Sequence, residues 1–436
     1  MFFITLLILL FVILFDKIVN KKFGFLTLYT GVWFVSIALT WIKQGDIIGI
    51  SEEAHYIVIL GTLTFSIGYL IVSGLSRDAS FSRREQFHRQ SSTYIMRVSF
   101  LKYLLGFVAL FYLIQAVKVH ALFAMGLSMD TIRYEYVTKG EIMLPVEQII
   151  ASWITAPIVQ YLIIPINIWN FLFNDDSKSK KVIILFSLLD VFLYMYVMLG
   201  KENLIFYSFS LLLIIFQFRI KKSARRKIFF ALLIVFLVVC FLSFLRSDGQ
   251  SKGVSFVYGY LAISLNLLDN WVGVIDNQHI QSYGLGFFYG PVNIVTSILE
   301  QFGFQWDLFS KISDFVSESI STGITVFPEE GPKTNVYVTH HMFFYMDYGY
   351  IGVCVENFIY GFITAIVLNK SRKLHNTGIY YKLVENVFCV GALCCFIYWP
   401  YFSTPYCMSF LMLRLCFKKV KYNAYASKSV NNYSGF

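Results

Sequence analysis

The chain is poor in charge and lacks the signatures of soluble enzymes. Only 14% of its residues are Asp, Glu, Lys or Arg, against about 25% in a typical soluble domain. It contains no Walker loop, no dinucleotide-binding glycine fingerprint and no H-E-x-x-H pair. Gly284, Gly286 and Gly290 have the wrong spacing for the fingerprint, and no βαβ unit follows them. The 7 cysteines lie within or at the ends of apolar runs. None has the paired spacing of a zinc site or a disulfide frame, so they read as packing residues. No internal repeat, low-complexity linker or soluble domain stands out. These absences argue against ATP-driven or metal-driven chemistry, and the expectation is no cofactor and no metal site.

What the chain has is apolar length. Its 436 residues are 57% hydrophobic, with a mean hydropathy of +0.64. A water-soluble fold cannot hide that much apolar surface, but a bilayer can. A span takes about 20 apolar residues. Such runs fall at 2–18, 23–42, 54–75, 98–117, 148–172, 182–199, 203–218, 228–245, 350–369, 383–399 and 404–417. The fold class is therefore all-α: one polytopic integral membrane domain over 1–436, with roughly eleven transmembrane helices. The first run has no basic stretch before it and Asp16, Lys17, Lys21 and Lys22 after it. A cleavable signal peptide has the reverse order, so a retained helix with an outside N-terminus is expected.

The net charge of +10 is laid out as topology signals rather than as a nucleic-acid surface. Segments 16–22, 76–97, 173–181, 219–227, 370–382 and the tail 418–436 hold 25 Lys and Arg residues, while 43–53, 118–147, 200–202, 246–349 and 400–403 hold 9 over a greater length. The positive-inside rule then makes 418–436 a basic cytoplasmic tail. It makes 118–147 an outer loop with an amphipathic helix, and 246–349 a large outer loop. Two stretches of that loop, 254–275 and 283–304, are apolar enough to cross. If only one crossed, the basic segments after it would lie outside, so neither or both must cross. Their Gly, Asn and Asp content favours interfacial or re-entrant helices.

Polar groups gather at the expected outer boundary. Arg246 closes the eighth run, where its planar fork suits an anionic group carried on a lipid; snorkelling or pairing with Asp248 is the plainer alternative. Arg133 sits among Asp130 and Glu135 in a segment whose Leu127, Ile132 and Tyr136 are apolar. A surface ion pair is its simpler explanation. Lys201 and Glu202 form almost the whole link between two spans, facing a cavity or capping helices. The richest stretch runs from Thr334 to Gly352 and includes Asn335, Tyr337, His340, His341 and Asp347. Either histidine suits a general base or, protonated, a phosphate ligand. Adjacent helical residues diverge by about 100°, so at most one of the pair is expected to face a given site. Asp190 and Glu356 are acidic residues inside spans, where such groups usually face a cavity or a partner. Tyr134, Tyr136, Tyr258, Tyr260, Trp271 and Trp306 offer aromatic faces for sugar rings, and Trp41, Trp153 and Trp399 read as interface anchors.

Taken together these features resemble the Wzy-type family, the polymerases of O-antigen or oligosaccharide repeat units. The likeness covers the multi-span layout, the Arg133 segment, Gly200-Lys201-Glu202, Arg246 at a span exit, and the long outer loop. It extends to Thr334-Asn335-Val336-Tyr337 running into Met346-Asp347-Tyr348-Gly349-Tyr350-Ile351-Gly352. Lys201 departs from the Arg expected after the glycine. The resemblance implies an enzyme of the bacterial inner membrane that transfers a glycan from undecaprenyl diphosphate to another lipid-linked repeat unit on the outer face. Such a donor carries its own activation, so neither nucleotide nor metal is required. Arg133, Arg246 and Lys201 would stabilise the departing diphosphate, and Asn335 and Tyr337 would contact substrate. A base such as His340 or His341, or a carboxylate such as Asp347 or Glu135, would take the acceptor proton. Implied partners are the lipid-linked glycan donor and acceptor, membrane lipids and a chain-length regulator, with no nucleic acid. Alternatives are an O-antigen ligase, a flippase or transporter using Asp190 and Glu356, and a membrane acyltransferase.

Overall fold

The computed structural model describes residues 1–20, 24–42, 50–81, 92–133, 135–136, 142–174, 176–199, 202–217, 226, 229–230, 233, 253–321, 324–325, 333–334, 338–373 and 379–421. Helices dominate it. In chain order they begin with α1 (Phe2–Asn20), α2 (Phe25–Ile42), α3 (Glu52–Phe81), α4 (Val98–Ala124) and α5 (Met129–Arg133). Next come α6 (Pro145–Ile150), α7 (Ile163–Phe173), α8 (Ser177–Met198), α9 (Glu202–Gln217) and α10 (Gly253–Gln278). The last are α11 (Tyr289–Glu300), α12 (Asp307–Ser321), α13 (His340–Lys373), α14 (Ile379–Cys394) and α15 (Thr404–Cys416). Among the described residues, 5 helices are long and apolar enough to cross a membrane: Glu52–Gly74, Val98–Ala124, Pro145–Phe171, Ser177–Met198 and His340–Ser371. Phe25–Trp41 and Asn203–Ile215 are shorter apolar helices. This is the architecture of an all-α, membrane-embedded protein.

Among the described residues, four short strands make two antiparallel pairs. These are β1 (Ser92–Met96), β2 (Ile324–Thr325), β3 (Lys333–Thr334) and β4 (Phe417–Lys421). β1 pairs with β4, Ser92 opposite Lys421 and Met96 opposite Phe417; β2 pairs with β3. The first pair ties the end of the basic segment before α4 to the start of the basic tail, side by side.

Between α6 and α7 the helix runs on through two π-helical turns, Ala151–Thr155 and Ile158–Leu162. Pro157 stands between them. A proline has no N–H and its ring crowds the carbonyl four residues back, and wider pairing is the local way to keep the helix continuous. The apolar stretch 254–275 lies within a single unbroken helix, α10, and its residues 262–268 are all buried. By contrast 283–304 is a turn followed by α11. At 12 residues, α11 is about 18 Å long, short of a hydrocarbon core about 30 Å thick.

The centre of the fold is the pair α3 and α13, which touch backbone to backbone. A Cβ added at Gly68 would lie 2.2 Å from the Phe358 carbonyl oxygen, and one at Gly361 would lie 2.1 Å from that of Phe65. Small residues that let helices approach this closely are the usual basis of packing in lipid, where no hydrophobic force drives helix on helix. Helix α13 itself is two arms. Its regular dihedrals fail at Tyr348 (φ −150°, ψ 31°) and Gly349 (φ 59°, ψ −140°), and the second of these is a conformation that glycine adopts without strain. Beyond that turn the chain doubles back, so arm 340–347 lies against the first turns of arm 350–373. A Cβ at Gly352 would sit 2.1 Å from the Phe344 carbonyl oxygen.

Candidate functional site

The folded-back arm carries the histidine pair inward. His340 and His341 are both fully buried. Nδ1 of His340 lies 3.0 Å from the Cys395 carbonyl oxygen and Nε2 lies 2.8 Å from Oδ1 of Asn357. The Nδ2 of the same Asn357 is 3.3 Å from Nδ1 of His341 and donates to the Val353 carbonyl at 2.7 Å. One asparagine therefore serves both rings, contrary to the expectation that only one would face a given site. They sit in the first turn of the short arm, where α13 is only beginning, and their ring centroids are 4.0 Å apart. Trp33 packs 4.8 Å from His341, and Phe344 packs 4.9 Å from His340. Gly61 of α3 makes room for the pair, since a Cβ there would fall 2.1 Å from Cε1 of His341.

Asp347 ends the same arm and is also fully buried. Its Oδ1 accepts from the Ser282 hydroxyl and from the backbone N–H groups of Gly284 and Gly286 at 2.9 and 2.8 Å, while Oδ2 accepts from Phe287 N–H at 2.8 Å. The carboxylate thus organises the turn 282–288. Gly286 is needed because a Cβ would come 2.5 Å from the Phe343 carbonyl oxygen. Trp399 closes the far side by donating its indole N–H to the Phe287 carbonyl at 3.0 Å; it is 1% exposed and is not an interface anchor. With its oxygens engaged by four donors, Asp347 acts as the clasp of this turn.

A pocket of about 240 Å³ opens beside the clasp, lined by Asp276, His279, Gln281, Tyr345 and Gly349 among others. The Tyr345 hydroxyl lies 3.1 Å from both carboxylate oxygens of Asp276 and 3.5 Å from Oε1 of Glu53. Tyr350 donates to the same Glu53 oxygen at 2.7 Å. One phenol, with a single proton to give, therefore bridges two carboxylates. Asp276 and His279 are exposed, Tyr345 is buried and Glu53 lies between. Ser51, beside Glu53, donates its N–H to Asp269 of α10 at 2.9 Å, which fixes the start of α3 against the end of α10. Chemically the pocket is rich in proton acceptors and pairs an accessible carboxylate with an accessible imidazole, the groups general base catalysis uses.

The predicted site residues divide into groups. His340, His341 and Asp347 share the short arm but serve different contacts, the histidines with Cys395 and Asn357 and Asp347 with the 282–288 turn. Arg133 and Glu135 do not join them; both are partly exposed, and α5 packs on α4 rather than on α13. Beside them Ile132 and Tyr136 are buried while Leu127 is exposed, so only part of the expected apolar face turns inward. Tyr136 donates to Gln115 at 3.1 Å, and burial, with Glu147 and Tyr194 adding, pushes its hydroxyl up from the ordinary range. Lys201, Arg246, Asn335, Tyr337 and Tyr134 lie outside the described residues. Of the aromatic residues expected to meet sugars, Trp271 is buried against Phe315, and Trp306 is half exposed in a second pocket of about 310 Å³.

The sequence reading missed Glu53, Asp276, His279, Tyr345 and Tyr350 as a group. The available signal was the run Asp276-Asn277-Gln278-His279, which closes an apolar stretch with four polar residues. Among the described residues no group of three or more His, Cys, Asp and Glu side chains is arranged to hold a metal ion. Comparison of the chain with family models, with curated proteins and with solved structures finds no match.

Proposed function

We propose that this protein polymerises oligosaccharide repeat units linked to undecaprenyl diphosphate, by metal-independent glycosyl transfer on the outer face of a bacterial inner membrane. The observation that carries this reading is the pocket formed where the Thr334–Gly352 stretch turns back. An accessible carboxylate, Asp276, meets an accessible imidazole, His279, beside Tyr345 of that stretch. Two carboxylates repel a diphosphate but receive hydroxyl protons, so the pocket suits the acceptor sugar, with Asp276 or His279 as the base. The donor's diphosphate needs cations, and Arg133, Lys201 and Arg246 remain the candidates for that role. His340 and His341 then set the depth and position of the folded-back arm, and Asp347 shapes the pocket wall. The full topology of eleven spans belongs to this proposal. So does the outer placement of 246–349, which draws support from the β1–β4 pair joining two basic segments that the charge rule assigns to one side.

The test is reconstitution with lipid-linked repeat units and a readout of chain length. Loss of elongation is expected in Asp276→Asn, Arg133→Ala and Arg246→Ala with the fold retained. Unchanged chain growth in both arginine variants would remove them from the mechanism. Unchanged growth in Asp276→Asn and His279→Gln would remove the pocket. A second reading, movement of the lipid-linked unit across the bilayer, draws on the break in α13 and the mid-span Asp190, since broken helices with buried charges are a transporter device. Transport into proteoliposomes without elongation would favour it.

A further inference from the structure

We propose that Asp190 forms a binding site for a proton or a monovalent cation inside the helix bundle. This is independent of the polymerase reading. Asp190 lies in the interior of α8 and is 0% exposed, with neither carboxylate oxygen hydrogen-bonded. Ser187, three positions earlier and so on the same helix face, is 3% exposed and its hydroxyl is likewise unpartnered. Three oxygens on one buried face of α8 are therefore left without a hydrogen-bond partner.

Among the described residues, no cationic side chain of the elements packed against α8 is hydrogen-bonded to Asp190. Those elements are α4, α7 and the π-helical turn Ile158–Leu162. The titratable side chains they present include Tyr112, His120 and Tyr161, to which α9 adds Tyr207 and α8 its own Tyr194 and Tyr196. The hydroxyls of Tyr112, Tyr161, Tyr194 and Tyr207 each have a hydrogen-bond partner other than Asp190. Tyr207 donates to the Val159 carbonyl at 2.6 Å, Thr155 donates to Tyr112 at 3.0 Å, and Tyr161 bonds with Tyr398 at 2.9 Å. Tyr194 receives the Gln160 amide. On α4, Lys118 is held by Glu147 at 2.6 Å, His120 lies 3.3 Å from the Tyr196 hydroxyl, and Lys102 holds Ser179 at 3.2 Å. Ser179 is eleven residues from Asp190 along α8, or about 16 Å.

A carboxylate that is buried at mid-span and unpaired does not persist as a bare anion, because nothing replaces the water it lost. Electroneutrality leaves two states: the oxygens hold a proton, or they hold a small cation, for which a carboxylate and a hydroxyl are suitable hard ligands. The neighbouring backbone supports such a site. The two π-helical turns flank Pro157, which supplies no N–H, and departures of this kind recur at functional positions in helices.

The experiment is thermal unfolding of the purified full chain in nanodiscs, across pH and with Na+ or choline as the salt, for wild type and Asp190→Asn. If the site holds a proton, the folded state keeps it while the unfolded chain releases it, so stability is greatest in acid and falls as pH rises. That slope is expected to be shallower in Asp190→Asn by the contribution of one proton. If it holds Na+, the wild type gains stability with the logarithm of Na+ concentration, and the variant does not. The same pH and Na+ responses in both proteins would overturn the proposal. Should that variant fail to fold, infrared spectra with isotope-labelled Asp are compared between the wild type and Asp190→Glu, so that the band lost is that of Asp190. A protonated-carboxyl stretch at neutral pH, or a Na+-dependent shift of the carboxylate band, supports the site, and the absence of both refutes it.

Discussion

His340 and Asn357 are 17 residues apart in one helical element, yet Nε2 of the first lies 2.8 Å from Oδ1 of the second. A straight helix would separate them by about 25 Å. The contact exists only because the chain reverses at Tyr348 and Gly349, and it sets how deeply the short arm enters the bundle. The reversal explains three facts together. The histidines are buried, Asp347 stands at the end of the arm where it can clasp the 282–288 turn, and Tyr345 and Tyr350 both point toward Glu53.

The reversal depends on the backbone of Gly349. Its dihedrals, φ 59° and ψ −140°, belong to a region closed to side-chain-bearing residues, and holding one there costs about 1–3 kcal/mol. Gly349→Ala is expected to lower the unfolding temperature in detergent, whereas Gly31→Ala, where an added Cβ meets nothing within 4 Å, serves as a neutral control. Equal melting temperatures for Gly349→Ala and wild type would mean that the turn is not held as described.

The two aspartates near the pocket should fail in different ways. Asp347→Asn replaces an oxygen acceptor with an amide that donates, facing N–H groups that also donate. The loss should be on the order of 3 kcal/mol, since hydrogen bonds to a charged group contribute about 1.5–3 kcal/mol each and the freed donors stay buried. Asp276→Asn leaves packing almost unchanged because the side chain is exposed. It should abolish most elongation, by about 10²–10⁴-fold for a general base, with an unaltered melt. A pair of melting curves and a chain-length gel separate the clasp from the base.

How much of this was readable from the chain alone depends on the range of each contact. The runs that became α1 to α4, the Pro145–Phe173 segment, α8 and α9 were visible as uninterrupted apolar stretches, because hydropathy is a local property. The all-α membrane class followed from composition. The folded-back arm was hidden for the same reason. Residues 338–369 read as polar groups followed by a span, and nothing local marks a helix that reverses onto itself. The pocket was hidden by distance, since Ser51 and Asp269 are 218 residues apart and Tyr350 and Glu53 are 297 apart. His340, His341 and Asp347 were singled out for their chemical types. Those types fit burial and clasping as well as catalysis, and only the geometry separates the roles.

Gly61 offers a check on the helix pair that does not involve the pocket. With its added Cβ 2.1 Å from Cε1 of His341 and 2.7 Å from Nδ1, Gly61→Ala forces the ring or the helix to move. Overpacking of this kind costs about 1–3 kcal/mol. Gly74→Ala on the same helix meets nothing within 4 Å and should be neutral or slightly stabilising, because alanine is favoured over glycine in a helix by about 0.5–1 kcal/mol. A melt in which the two variants behave alike would show that His341 does not rest on α3.

Tyr345 provides the sharpest test of the pocket as a chemical unit. Its hydroxyl is within reach of both Asp276, at 3.1 Å, and Glu53, at 3.5 Å. Tyr345→Phe keeps the ring and its packing but leaves two carboxylates facing each other without a shared proton donor. A hydrogen bond to a charged group contributes about 1.5–3 kcal/mol, so elongation should fall by roughly 10- to 150-fold if the hydroxyl holds Asp276 in its working position. Tyr350→Phe removes only the bond to Glu53 and should have the smaller effect. Asp276→Asn made on top of Tyr345→Phe should then add little beyond Asp276→Asn alone, because the phenol acts through that carboxylate. If the two losses multiply independently, the tyrosine serves something other than Asp276 and the pocket has to be divided between two functions.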